Sequence, residues 1–165
     1  MAVLVSGSGT NLQALLDDPE VGPSLVLVVS DKPDAFALER AASKGVPTVV
    51  LEPPNFESRE DHDQALLGLF EESGIDFVLF AGYMRILTPV VVKPFEGRWL
   101  NVHPSLLPAF PGAHPIRDAL DWGAKVTGVT IHFVEPEVDH GPIVFQEAVP
   151  VLSGDDEASL LSRLH

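Results

Sequence analysis

Three observations on this sequence predict an α/β fold. Short, β-branched apolar runs alternate with stretches of helical periodicity through the first half of the chain, and glycines close two of those stretches. After Val102 the texture changes to a proline-rich segment and then to β-rich sequence. With 45% hydrophobic and 21% charged residues the chain is built to bury a core rather than to stay disordered. Strand–helix alternation implies right-handed crossovers, and hence a Rossmann-like, mostly parallel sheet flanked by helices on both faces, with a β-rich C-terminal portion. A chain of 165 residues fits one domain, and at that size roughly 70% of the unfolded surface can be buried.

Taken in order, residues 2–5, 25–29, 48–51, 77–80 and 99–102 have the length and branching of buried strands. Between them, residues 11–16 form a short helical segment. Residues 35–44 carry Phe36, Leu38 and Ala42, and residues 58–72 carry Ala65, Leu66, Leu69 and Phe70 on one side. Gly45 and Gly74 supply the C-terminal stops. Pro104, Pro108, Pro111 and Pro115 cluster with Gly112 in a segment that can be neither regular helix nor central strand. Residues 115–122 then read as a short helix ending at Gly123. Residues 126–134 and 143–149 read as neighbouring strands, and residues 155–165 as the start of a helix.

Composition narrows function. There is no cysteine, which excludes disulfides, thiolate nucleophiles and cysteine-ligated metals. Lys and Arg total 10 against 24 Asp and Glu, a net charge of −14, so a nucleic-acid backbone would be repelled. An anionic small molecule remains allowed if a local donor cluster such as a helix N-terminus receives it. Mean hydropathy is +0.20, yet no apolar run approaches the ~20 residues of a membrane span. Met1-Ala2-Val3-Leu4-Val5 has no basic flank and meets Ser6-Gly7 too early for a signal peptide, so a cytoplasmic location is expected.

Ser6-Gly7-Ser8-Gly9-Thr10-Asn11 lies between the first strand and the first helix, where a parallel sheet presents backbone N–H groups and a helix dipole to an anion. Gly7 and Gly9 would admit a ligand close to the backbone, and Ser8, Thr10 and Asn11 could add donors. The dinucleotide fingerprint is not met: its third glycine would fall on Leu12, although Asp31 stands where a ribose-binding acid would. A P-loop lysine is absent too. A phosphate site is the expectation, against a tight turn with incidental glycines.

Asn101-Val102-His103-Pro104-Ser105 ends the fifth strand, at the edge where such sheets place their chemistry. Alternation puts Asn101 and His103 on one side. Asn offers an uncharged donor to a developing oxyanion, and His a proton titrating near neutrality. The same pair could be a cap or a core contact. Asp139, in Asp139-His140-Gly141-Pro142 between the last two strands, could reach back to orient His103, or could belong to a surface turn. His132 reads as a core histidine, His62 and His165 as solvent-facing. No spacing of ligands suggests a metal site, and none suggests an acyl-enzyme.

The stretches SGSGTNLQAL, SDKPDAFALERA, AGYMRILTP, NVHPSLLPAFPGAHPIRDAL and GVTIHFVEPEVDHGPIVFQ, in that order along nearly the whole chain, resemble the phosphoribosylglycinamide formyltransferases, folate-dependent enzymes of purine synthesis. The resemblance implies a single formyltransferase domain over residues 1–165 with the formyltransferase fold. It implies transfer of a formyl group from 10-formyltetrahydrofolate, as co-substrate, to the amine of 5'-phosphoribosylglycinamide, directly and with no metal. Asn101, His103 and Asp139 match the family's catalytic trio. Gly9, Thr10 and Asn11 match its phosphate contacts, and Met84, Arg85, Ile86 and Leu87 the wall that holds the pterin. Arg59 and Asn101 match further folate-side residues. Implied partners are those two small molecules, without nucleic acid or membrane, in a monomer or homodimer.

The pattern departs from the family in two places. Family members commonly show a second histidine soon after the position of His114, where this chain has Pro115-Ile116-Arg117. The family also continues past the position of His165 through a helix that contributes to the ribonucleotide site, so that helix is expected to be lacking here. Other readings on the same sequence are a different formyl-folate transferase or hydrolase, and a nucleotide-binding module without catalysis.

Overall fold

Ala2–Val5 forms β1, and all four residues are fully buried, as a central strand covered on both faces requires. The computed structural model describes residues 1–164, and these divide at Trp99–Leu100 into two compact units. In the first, β1 pairs in parallel with β2 (Leu27–Ser30) on one side and with β4 (Val78–Phe80) on the other, and β2 pairs with β3 (Thr48–Val50). Its helices are α1 (Thr10–Asp17), α2 (Phe36–Ser43), α3 (Arg59–Glu72) and the short α4 (Pro89–Val92).

One core layer joins Val3, Val5 and Val28 to Leu12 and Leu16 of α1 and to Ala37 and Ala41 of α2. Another is aromatic: Trp99 lies between Phe70, Phe80 and Phe95 at ring separations of 5.8, 5.4 and 5.8 Å. The strand expected at residues 25–29 starts two residues later, because Leu25 still donates to Gly22 O in a one-turn 3-10 helix. β3 is not the buried strand its Val-Val sequence suggests. It is an edge of this unit's sheet, with Thr48 and Val50 exposed. Ser58 caps α3 by accepting the Asp61 N–H at 3.1 Å. Along that helix the buried side chains are Leu66, Leu67 and Phe70 together with His62 and Asp63, whereas Ala65 and Leu69 are only half-buried.

The second unit is antiparallel. β5 (Trp99–His103) pairs with β6 (Val126–Phe133), which pairs with β7 (Ile143–Pro150) across a register shift at Ile131/His132. α5 (Pro115–Trp122) ends on Gly123 in the left-handed region, as its sequence predicts. α6 (Glu157–Leu164) begins later than expected because Asp155 and Asp156 form its entry turn. Leu152 N–H donates to Asp155, and Ser159 N–H to Asp156 at 2.8 Å. The reading of His165 lies outside the described residues. Among the described residues no helix is long and apolar enough to cross a membrane.

Candidate active site

The second unit gathers three of the residues singled out from sequence, and adds one. Asn101 and His103 are two apart on β5, and their cross-strand partners on β6 are His132 and Thr130. Such pairs share a face. Asn101 Nδ2 lies 3.1 Å from His132 Nε2, and His132 Nδ1 lies 2.9 Å from Phe133 O. A carbonyl can only accept, so His132 Nδ1 carries a proton and its Nε2 lone pair accepts from the Asn101 amide. The other Asn101 N–H has no protein partner among the described residues.

His103, at the end of β5, is buried. Its Nε2 lies 2.9 Å from Phe110 O and therefore carries a proton, while its Nδ1 lies 3.5 Å from Asp139 Oδ2. Phe110 reaches this position with φ +53, a left-handed conformation rare for an aromatic residue.

Asp139 arrives from the β6–β7 loop, also left-handed, with φ +57. Its Oδ2 accepts the Gly112 N–H at 2.7 Å, and its Oδ1 lies 3.6 Å from His132 Nε2. One carboxylate thus stands between two imidazoles. Burial pushes its carboxyl up, but the Gly112 N–H and the neighbouring His103 hold it below the usual carboxylate value, the His132 Nε2 being turned to the Asn101 amide as an acceptor. Gly141 is needed to keep the loop there: a Cβ at that position would fall 1.8 Å from Phe133 O, where Phe133 N–H already bonds Pro142 O.

His132 is buried, as a core histidine should be, but it is no bystander, because it contacts both Asn101 and Asp139. A sequence signal for it exists: Thr130 and His132 alternate on one strand opposite His103 and Asn101.

The remaining candidates belong to the first unit. In the glycine loop, Gly9 has φ +72, and a Cβ on it would lie 2.6 Å from Ala37 Cβ and 2.8 Å from Ala37 Cα. Gly9 is thus demanded by packing on α2 as much as by any ligand. Gly7, by contrast, has nothing within 4 Å of where its Cβ would be. α2 also holds the loop's carbonyls: Ala37 N–H donates to Gly7 O and Arg40 Nε–H to Ser8 O at 2.8 Å. Gln13 N–H is the first amide of α1 to reach a carbonyl, that of Gly9. The amides of Thr10, Asn11 and Leu12 have no protein acceptor among the described residues, the usual state of a helix N-terminus. Leu12 is fully buried in the core layer, which explains why no third glycine stands there.

Met84, Arg85, Ile86 and Arg59 line one cleft of about 650 Å³, together with Pro53 and Phe56. Met84 is 72% and Ile86 58% exposed, large apolar side chains facing solvent on one short strip. Arg59 donates from its guanidinium to Ile86 O, and Met84 N–H donates to Ser6 Oγ at 3.0 Å, tying the strip to the glycine loop. Leu87 does not line the cleft; it is buried. The expected exposure of His62 is overturned, since it is 1% exposed and bonded on both ring nitrogens. No cluster of three or more potential metal ligands occurs among the described residues.

Comparison with known proteins points one way. The chain is 43% identical to a phosphoribosylglycinamide formyltransferase of Escherichia coli, over 99% of this chain and 79% of that one. It is 44% identical to the trifunctional purine biosynthetic protein adenosine-3 of Drosophila melanogaster, spanning all of this chain but only 13% of that protein's length. A glycinamide ribonucleotide transformylase 1 from Symbiobacterium toebii superposes with a TM-score of 0.95 at 48% identity, over 99% of this chain and 78% of that one. The family model described as formyl transferase matches residues 1–165, through both compact units, and the chain belongs to that formyl transferase family.

Proposed function

We propose that this protein transfers a formyl group from 10-formyltetrahydrofolate to the amine of 5'-phosphoribosylglycinamide, with residues 1–165 acting as one formyltransferase domain. The observation that carries the reading is the convergence of Asn101, His103 and Asp139 at the end of β5, in an arrangement suited to an oxyanion. The names of its relatives support the same substrate. Met84, Arg85 and Ile86, with Arg59, form the folate side. Thr10 and Asn11 offer N–H groups to the phosphate, with Gly9 shaping the turn. Leu87, buried at the end of the strip, would act on the folate side through packing rather than contact.

The amine attacks the formyl carbon, and the carbonyl oxygen becomes an oxyanion in a tetrahedral intermediate. Asn101 donates its unused N–H to that oxygen while His132 fixes the amide's orientation. His103 donates from a ring nitrogen. Its Nε2–H now rests on the Phe110 carbonyl, so catalysis exchanges a neutral acceptor for a charged one, which makes the stronger hydrogen bond. Asp139, 3.5 Å from His103 Nδ1, orients the ring. Collapse of the intermediate returns a proton to the folate nitrogen as the C–N bond to folate breaks. The amine becomes the formamide and loses the balancing proton.

Absorbance-monitored turnover of 10-formyltetrahydrofolate, with and without the ribonucleotide, tests the proposal. Turnover should require the ribonucleotide, and Asn101→Ala should slow it by roughly 10²-fold or more. Turnover to water alone would indicate a hydrolase. Binding without turnover would indicate a nucleotide-binding module. A folded Asn101→Ala protein with normal rate would remove Asn101 from the mechanism.

A further inference from the structure

The acidic run Glu60-Asp61-His62-Asp63 opens α3, and its last two side chains are almost completely buried, His62 at 1% and Asp63 at 2%. His62 Nδ1 lies 3.0 Å from Asp63 Oδ1, and His62 Nε2 lies 3.2 Å from Leu51 O. Both partners are acceptors. A neutral ring would aim a lone pair at one of them, so the geometry calls for a proton on each nitrogen and a buried ion pair with Asp63. Asp63 spends its other oxygen on the Thr88 N–H at 2.5 Å. Burial pushes the Asp63 carboxyl up, but the bonds from His62 and Thr88 outweigh it and leave it below the usual value. The His62 ring also stands edge-on to Phe56, at 5.1 Å between centroids.

Of the residues so contacted, Phe56 lines the cleft with Arg59, Met84, Arg85 and Ile86, while Leu51 and Thr88 lie two residues outside its lining, before Pro53 and after Ile86. Leu51 and Phe56 belong to the segment on one side, Thr88 closes the strip that carries Met84 and Ile86, and Arg59 lies one turn before His62 on α3. A desolvated charge pair is a costly way to join three segments. An apolar pair would fill the same space without desolvating charge, but would supply neither a donor to Leu51 O nor an acceptor to Thr88 N–H.

We propose that His62 and Asp63 are positioning residues for the co-substrate, a buried ion pair that sets the distance between the two walls of the folate-side cleft. This rests on the folate-side assignment of that cleft made above. The pair touches no substrate. It acts through the Thr88 amide and the Leu51 carbonyl.

Calorimetric titration of the wild-type protein, His62→Phe and Asp63→Asn with 10-formyltetrahydrofolate, and separately with the ribonucleotide, tests this. Each substitution should raise the Kd for 10-formyltetrahydrofolate at least about fivefold and leave that for the ribonucleotide within about twofold. Such a split is not what a general loss of stability produces. Equal weakening of both ligands, or unchanged folate affinity, overturns the positioning role. Nitrogen-15 NMR of wild-type His62 at pH 7 gives an answer even where a variant fails to fold. Two protonated ring nitrogens are expected, and a single protonated nitrogen overturns the ion pair. If the wild type binds the ribonucleotide but not 10-formyltetrahydrofolate, the folate-side assignment itself fails, and the inference with it.

Discussion

Two glycines of one loop should answer to alanine in opposite ways. At Gly9 the new Cβ would stand 2.6 Å from Ala37 Cβ and 2.8 Å from Ala37 Cα, the latter a backbone atom that cannot swing aside. The position also has φ +72, where a non-glycine residue costs about 1–2 kcal/mol. Relief of the overlap by shifting α2 adds about 1–3 kcal/mol. Gly9→Ala should therefore lose about 2–5 kcal/mol, a fall in Tm of roughly 5–15 °C for a chain of this size. Gly7→Ala meets no atom within 4 Å and should leave stability within about 0.5 kcal/mol. If the loop cradles a phosphate, however, the Gly7 methyl enters the space the anion needs. Ribonucleotide affinity should then fall about tenfold or more, equivalent to about 1.4 kcal/mol, with folate affinity unchanged. Thermal melts and calorimetry with each ligand read both arms. A Gly9→Ala protein that melts like wild type would refute the packing argument, and a Gly7→Ala protein that binds the ribonucleotide normally would refute the close approach of phosphate.

Two further outcomes concern the β6–β7 loop. Because the Asp139 carboxyl is held below its usual value, its contribution to stability is complete above about pH 4 and is lost as pH falls through the lower folded-state value. Asp139→Asn should accordingly be less stable at neutral pH and lose less stability on acidification, with turnover down by about 10²-fold or more; chemical denaturation at several pH values would show it, and an unchanged acid slope would count against the assignment. Gly141→Ala puts a Cβ 1.8 Å from Phe133 O and must displace the loop, so turnover should drop at least about tenfold, alongside a loss of about 1–3 kcal/mol. Wild-type turnover in that variant would show that Gly141 does not fix Asp139.

What the sequence made legible was whatever local chemistry determines. β1 and α5 have the bounds that apolar run length, Pro115 and Gly123 imply, and the glycine loop sits at the first strand–helix turn. Leu12 in place of a third glycine argued against a dinucleotide site, and it is a core residue. Contacts across the fold were a different matter. Whether Asp139 met His103 depended on a loop conformation set by a left-handed φ and by Gly141 against Phe133, neither of which leaves a trace in spacing. The resemblance to a family supplied that pairing where periodicity could not.

His62 shows the limit most clearly. A histidine among Glu60, Asp61 and Asp63 has every local mark of a solvated helix face, yet its partners are a carbonyl eleven residues earlier and a carboxylate whose other oxygen holds an amide twenty-five residues later. Gly9 makes the same point in reverse: its location in a ligand loop suggested a binding role, but the nearest obstacle to a side chain is a helix of the core. Val-Val at β3 suggested burial and found an edge. In each case the residue type alone does not specify its neighbours, because burial is fixed by which segments pack together rather than by the segment itself. The candidate site follows the same division. Its donors and titratable groups are visible as residue types at strand ends, whereas the geometry that could make them act together, Asp139 between His103 and His132 and His62 between two cleft walls, exists only once distant segments meet.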